Sequence, residues 1–368
     1  MSPMNHVREL MVLYAISSGC ASDRQCITVD APLATFAVFK DSAGVWQELS
    51  LTSGKGEMCV DQEYTVMAVC DAPTATPLSV SQHSGVRADG DVTVGHCSES
   101  SGEELQVTGL MSESGTVDIG NRFISNAGSL WRFDLGVSPG THDLIATDEL
   151  LNRDATRVAI RRAIVVDDNI EVPLVDLSIE GIELREVPLM ISDVNPLLPD
   201  EETSNAVTLT TLHGFALIVL LDGTTTRVLT QSDLLDSDVQ SVSIGASSSL
   251  TSRSVYVDSS ALQDEFKLPP RLDEIVFGLD ADLVGVSWSA LPTDYEDAVF
   301  TAGTSDHLLV VTASHGWVEA TSSTGLFLDT EAPGFEPRWN LRNDEVVFGN
   351  SLRLTSTTTS TSRFREPR

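Results

Sequence analysis

Lysine is almost absent from this chain. Lys40, Lys55 and Lys267 are the only three in 368 residues, and the other basic side chains are arginines. Against 54 Asp and Glu, the 22 Lys and Arg leave a formal net charge of −32. So negative a surface repels phosphate backbones, which excludes DNA and RNA as partners. Long apolar runs are missing too: the longest strong one, 215–221, falls far short of the roughly 18 residues that a bilayer-spanning helix needs. The motifs of common enzymes are also lacking. There is no β-lactamase S-x-x-K set, no H-E-x-x-H, no P-loop and no helix-opening G-x-G-x-x-G. Aromatic residues make up only 6%. What is present is an excess of acids and short apolar runs at alternating spacing. The acidity suits an exported protein bathed in salt or crowded on a surface. GC-rich coding gives the preference for Arg over Lys equally well.

The start of the chain reads as an export signal. Residues 10–16 are an apolar run, Leu-Met-Val-Leu-Tyr-Ala-Ile, followed by Ser17, Ser18, Gly19 and Cys20. Small residues before a cysteine resemble the signal of bacterial lipoproteins, in which the cysteine is acylated after cleavage. Ser17 departs from that pattern, where Leu is usual. The resemblance implies acyl chains on Cys20 and a membrane partnership through that anchor. Ala21 is not the Asp that retains such proteins at the inner membrane, so the implied address is the cell outer membrane. An ordinary secretory signal, or a buried N-terminal element, are the other readings.

Removing Cys20 leaves Cys26, Cys59, Cys70 and Cys97, an even set that implies two disulfides in an exported chain. Three connectivities are open, and Cys26–Cys59 with Cys70–Cys97 is the expected one. Zinc fits poorly, because no C-x-x-C is present. No metal and no cofactor is expected.

Alternation dominates from residue 33 onward, which predicts an all-β chain of tandem Ig-like β-sandwiches. The expected order is a signal at 1–20, a small disulfide-bonded β domain at 26–97 and a sandwich at 104–184. A larger β-sandwich or flattened barrel follows at 186–355, then a flexible Ser/Thr-Arg tail at 356–368. Along 157–166, Val158, Ile160, Ile164 and Val166 share one face, and Arg162 breaks it. A bulge or the sandwich rim, with an acid as partner, would accommodate this arginine.

The segment Gly128-Ser-Leu-Trp131-Arg-Phe133, followed by Val137-Ser-Pro139-Gly140-Thr-His142-Asp-Leu144, resembles the strand–turn–strand of transthyretin-like carboxypeptidase regulatory modules. Trp131 and His142 stand at the family's tyrosine places. The resemblance covers about eighty residues, implies an Ig-like sandwich used for structure or recognition, and carries over no catalytic residue. The whole layout is similar to multi-domain outer-membrane lipoproteins of myxobacteria.

Candidate chemistry is thin. The seven histidines, His6, His83, His96, His142, His213, His307 and His315, are scattered. His307 and His315 flank one apolar strand and would have to converge across a hairpin. Asp294-Tyr295-Glu296-Asp297, just after Trp288, sets acids beside aromatics as a sugar- or cation-binding rim does. Asp89/Asp91, Asp236/Asp238 and Asp280/Asp282 have D-x-D spacing suited to one calcium ion or to plain surface acids. Trp288, Tyr295 and Trp339 are the candidate ligand-binding residues, with Trp339 expected in an exposed loop. The leading expectation is a non-enzymatic cell-surface lipoprotein with a structural, adhesive or binding role toward surface polysaccharide or protein. Carbohydrate binding by the C-terminal β domain and a secreted hydrolase using a carboxylate pair are the alternatives.

Overall fold

The computed structural model describes residues 25–71, 78–95, 104–126, 131–262, 265–280, 283–304, 306–341 and 348–365. The 1–20 signal, Cys20, Cys97, Gly128 and Asp282 lie outside them. Within them the chain is all-β and made of packed sheets, and the largest sheet does not close into a barrel.

That sheet has twelve strands. From edge to edge they run Gly214–Asp222, Glu202–Thr211, Val239–Ser247, Thr251–Asp258, Thr359–Phe364 and Phe348–Thr355. They continue through Asp297–Gly303, His307–Ser314, Leu78–Val86, Glu63–Cys70, Phe36–Asp41 and Trp46–Glu48. The sheet therefore crosses the boundary expected between the 26–97 and 186–355 units. Leu78–Val86 pairs in parallel with His307–Ser314, with Leu78 opposite His307. A unit of few strands has little core and an unpaired strand edge. Adding its edge to a second sheet satisfies those backbone groups.

The 356–368 tail, expected to fray, instead supplies Thr359–Phe364, paired on both sides. Threonine is β-branched and suits a pleated strand. Thr361 is 4% exposed and donates its hydroxyl to the Pro270 carbonyl at 3.2 Å.

Strand alternation sends successive side chains to opposite faces of the big sheet. One face is buried in two cores. The first joins Val80, Phe300, Val311 and Leu352 to Val284, Val286, Leu326 and the loop residues Ala332 and Trp339. The second joins Val207, Val242, Ile244 and Val255 to Val187, Val228 and Phe266. On the opposite face, a three-stranded sheet of Lys55–Val60, Gln25–Asp30 and Val92–Thr93 covers only one end. Its Ile27, Val29 and Met58 pack on Phe39, Tyr64 and Val66. Cys26 and Cys59 face each other across that small sheet and form a disulfide. Cys70 is disulfide-bonded as well, and its expected partner Cys97 is outside the described residues.

The middle unit is a two-sheet sandwich. Arg122–Asn126, Gly115–Ile119, Gly140–Thr147, Arg157–Val166 and Ile182–Glu183 face Arg132–Val137, Leu105–Met111 and Ile170–Val175. Phe133, Val107 and Leu144 are in its core, and Trp131 packs half-buried against them. His142 closes the Pro139-Gly140 turn on the Ser138 carbonyl at 2.8 Å.

The expected single apolar face along Arg157–Val166 is split. Val158 and Ile160 belong to the core shared with the third unit, whereas Ala159, Ile164 and Val166 belong to the sandwich core. The cause is a register break opposite His142 and Leu144, with Ala163 at a φ of 54°. One extra residue reverses the alternation beyond it. Arg162 sits at this bulge and pairs with Asp143 at 3.2 Å and Asp238 at 2.7 Å. Asp238 belongs to the third unit, so this arginine ties the two units together. Burial beside Ile145 in the same interface pushes the Asp118 carboxyl up to about 7.

Candidate functional site

The three aromatic candidates are core residues. Trp288 and Tyr295 are each 7% exposed and Trp339 is 4% exposed, all in the first core. Trp339 stacks near Phe36, with ring centroids 5.0 Å apart, and its indole N–H donates to Asp71 at 2.8 Å. Tyr295 meets His315 edge-on at 4.6 Å. A sugar platform needs a ring face open to solvent, and these rings have none to offer. The loop around Trp339 folds back as a lid on the sheet, which is why a loop tryptophan is buried.

His307 and His315 do not converge. They stand at the two ends of His307–Ser314, on the order of 25 Å apart at about 3.3 Å per residue. Of the D-x-D pairs, Asp238 is spent on Arg162, and Asp91 accepts the Thr28 N–H at 2.8 Å. Among the described residues no group of three His, Cys, Asp or Glu is placed to hold a metal ion.

The site-like geometry lies on the face of the big sheet that the small sheet leaves open. Cross-strand partners point the same way, so the register defines its rows. One row runs Ser204, Gly245, Ser254, Ser360, Thr355, Asp297 and Ser314. The next runs Glu202, Ser247, Ser252, Ser362, Arg353, Val299, Thr312 and His83. Most of these side chains are half-exposed, and hydroxyls predominate. No element among the described residues packs across the middle of these rows.

Where the open face meets the small sheet, there is a cleft of about 530 Å³. Ser81, His83, Val310, Thr312, Asp297, Val299 and Arg353 form its floor, and Asp89–Gly95 forms one wall. Glu296 and Tyr64 complete it. A larger groove of about 660 Å³ along Trp46–Glu48 has Glu48 as its one charged lining residue, and in one of about 420 Å³ lined by Lys40, Asp41, Glu63 and Asp329 the lysine is paired with Asp329. Burial holds the His83 imidazole down to about 4, against the pull of Asp89, so it is neutral at pH 7. Burial raises Asp297 above the usual carboxylate range, and the charges of Glu296 and Asp89 raise it further. Burial likewise raises Tyr64, with Asp89 and Asp297 adding to it. The Tyr64 and Ser81 hydroxyls are buried without a hydrogen-bond partner among the described residues.

Of the segment 294–297, the structure thus brings Glu296 and Asp297 to a cleft, while Tyr295 turns to the core. Tyr64, Ser81 and His83 come from two neighbouring strands and Arg353 from a distant one, and no spacing in the chain announces their meeting with Asp297. The Ser-x-Ser alternation at 241–243, 252–254 and 360–362 is the one signal that marks the hydroxyl face.

No protein-family model matches this chain, and no curated protein is significantly similar to it.

Proposed function

We propose that this chain is a non-enzymatic binding protein of the cell surface, held at the outer membrane by acyl chains on Cys20, and that its ligand is a polysaccharide laid across the open sheet face. The observation that carries the reading is the hydroxyl tiling of that face. Ser and Thr hydroxyls can each donate one hydrogen bond and accept two. They also stand at strand spacings of about 4.8 Å, so they match a polyol along its length. The cost of a bare sheet face is explained if the face is a working surface. The lipoprotein-like start of the sequence supports the location.

Two measurements test the two halves. Metabolic acyl labelling should mark the intact chain and fail on Cys20→Ala; equal labelling of both, or none of either, would sink the anchor. On an array of immobilised polysaccharides, the full chain should bind a subset of spots. Ser254→Arg, which stands a long cation in the middle of the face, should weaken that binding at least tenfold. A uniformly silent array would refute the polysaccharide ligand.

A further inference from the structure

We infer that the cleft beside the small sheet selects an amine-bearing sugar, seating its ammonium against Glu296 and Asp297. This deepens the polysaccharide reading and rests on it.

Four carboxylates surround the cleft and a single arginine stands in it. Two of the acids have structural work. Asp89 accepts the Val86 N–H at 2.8 Å, and Asp91 accepts the Thr28 N–H at 2.8 Å, which pins the wall. Glu296 and Asp297 make no side-chain hydrogen bond or ion pair with any described residue. Burial first, and then the charges of Glu296 and Asp89, raise the Asp297 carboxyl, and a cation bound between Glu296 and Asp297 offsets these costs.

The second observation is independent of charge. Ser81 is 4% exposed and Tyr64 2% exposed, yet neither hydroxyl has a partner among the described residues, and both residues line the cleft. A buried unpaired hydroxyl is unfavourable, because it has given up its hydrogen bonds to water without replacing them. A ligand carrying hydroxyls beside its cation gives these two groups their partners. A bare metal ion does not suit this set, because the described residues place no group of three His, Cys, Asp or Glu to coordinate one. An ammonium needs only hydrogen-bond acceptors and a carboxylate or two.

The third observation is continuity. Asp297 lies in the same cross-strand row as Ser254, Ser360 and Thr355, so the acids interrupt the hydroxyl face and do not stand apart from it. A sugar chain lying on the tiles brings a ring substituent to that point. A basic peptide matches the acids but leaves the tiled row unused.

The test is a titration of the full-length chain with glucosamine oligomers, with the same oligomers N-acetylated, and with an oligolysine of similar length. The free-amine sugar should bind at least tenfold more tightly than its acetylated form. Glu296→Gln, an exposed position with little bearing on folding, and Asp297→Asn should each cut that preference to about twofold or less. Neither should change the affinity for the acetylated form. Equal affinity for both sugars would overturn the inference and leave the polysaccharide reading standing. Binding of neither sugar would overturn both. A preference that survives both substitutions would assign it to the diffuse acidity of the surface. Oligolysine binding as tightly as the amine sugar, with the same dependence on Glu296, would assign the cleft to a basic protein partner.

Discussion

Replacing Arg253 with alanine should lower folding stability by about 3–5 kcal/mol, the cost of breaking a buried ion pair from one side. The Arg253 and Glu201 side chains have no solvent exposure. The guanidinium meets the carboxylate through Nε at 3.1 Å and Nη2 at 2.9 Å. It also donates to the Asn195 carbonyl at 2.8 Å and the Pro196 carbonyl at 3.1 Å. Arg271 adds a second bidentate grip on Glu201, at 3.1 and 2.6 Å. Truncating Arg253 takes the donor from the Asn195 carbonyl and leaves the buried Glu201 with Arg271 alone, so a urea titration should show a clear fall in midpoint. Arg253→Met and Arg271→Met combined with Glu201→Leu should lose less, because no buried charge is left behind. A loss under 1 kcal/mol for Arg253→Ala would contradict this account.

The same cluster sets an acid limit. Burial works to raise the Glu201 carboxyl, but hydrogen bonds from Arg271 and Arg253 outweigh it and hold the group at about 2, against 4.5 when unperturbed. The unfolded chain therefore takes up the proton first as pH falls. The stabilisation is complete above about pH 4.5 and is lost as pH drops toward 2.

Breaking the Cys26–Cys59 bond should cost about 3–4 kcal/mol, the loop-closure entropy expected for a separation of 33 residues. The loss should be local at first. The small sheet has only three strands, and its Ile27, Val29 and Met58 are what covers Phe39, Tyr64 and Val66. In Cys26→Ser/Cys59→Ser, amide exchange should rise along Gln25–Asp30 and Lys55–Val60 while Val239–Ser247 keeps its protection. An unchanged denaturation midpoint, or uniform loss of protection, would argue against this. Tyr64 also lines the cleft, so the same variant reports whether the wall depends on the bond.

The all-β class was legible because alternation is a local property. Val242 and Ile244 against Ser241 and Ser243 is enough to name a strand and its two faces. Arg162 was legible for the same reason, since a charge in an apolar row demands a bulge and a partner. What failed were judgements that depend on distant neighbours. Thr359–Phe364 reads as disordered because its hydroxyls are polar in any local window, whereas Thr361 is inward and paired. Trp339 looked exposed because its segment has loop composition, yet that loop closes a core. The domain boundary failed because the pairing of Leu78–Val86 with His307–Ser314 is set by geometry across the chain. The cleft combines both cases: Glu296 and Asp297 were visible as a local acidic run, while Ser81, His83 and Arg353 reach them only through sheet order.

That parallel pairing also orders events in time. Leu78 and its neighbour His307 are roughly 230 residues apart in sequence. Closing so long a loop is entropically slow, and contact between distant strands slows folding generally. During folding, Leu78–Val86 stays an open edge until His307–Ser314 docks on it. The first ninety residues are then a nucleus without a seal, and the disulfide between Cys26 and Cys59 is the bond that can hold them in shape while the last strands arrive.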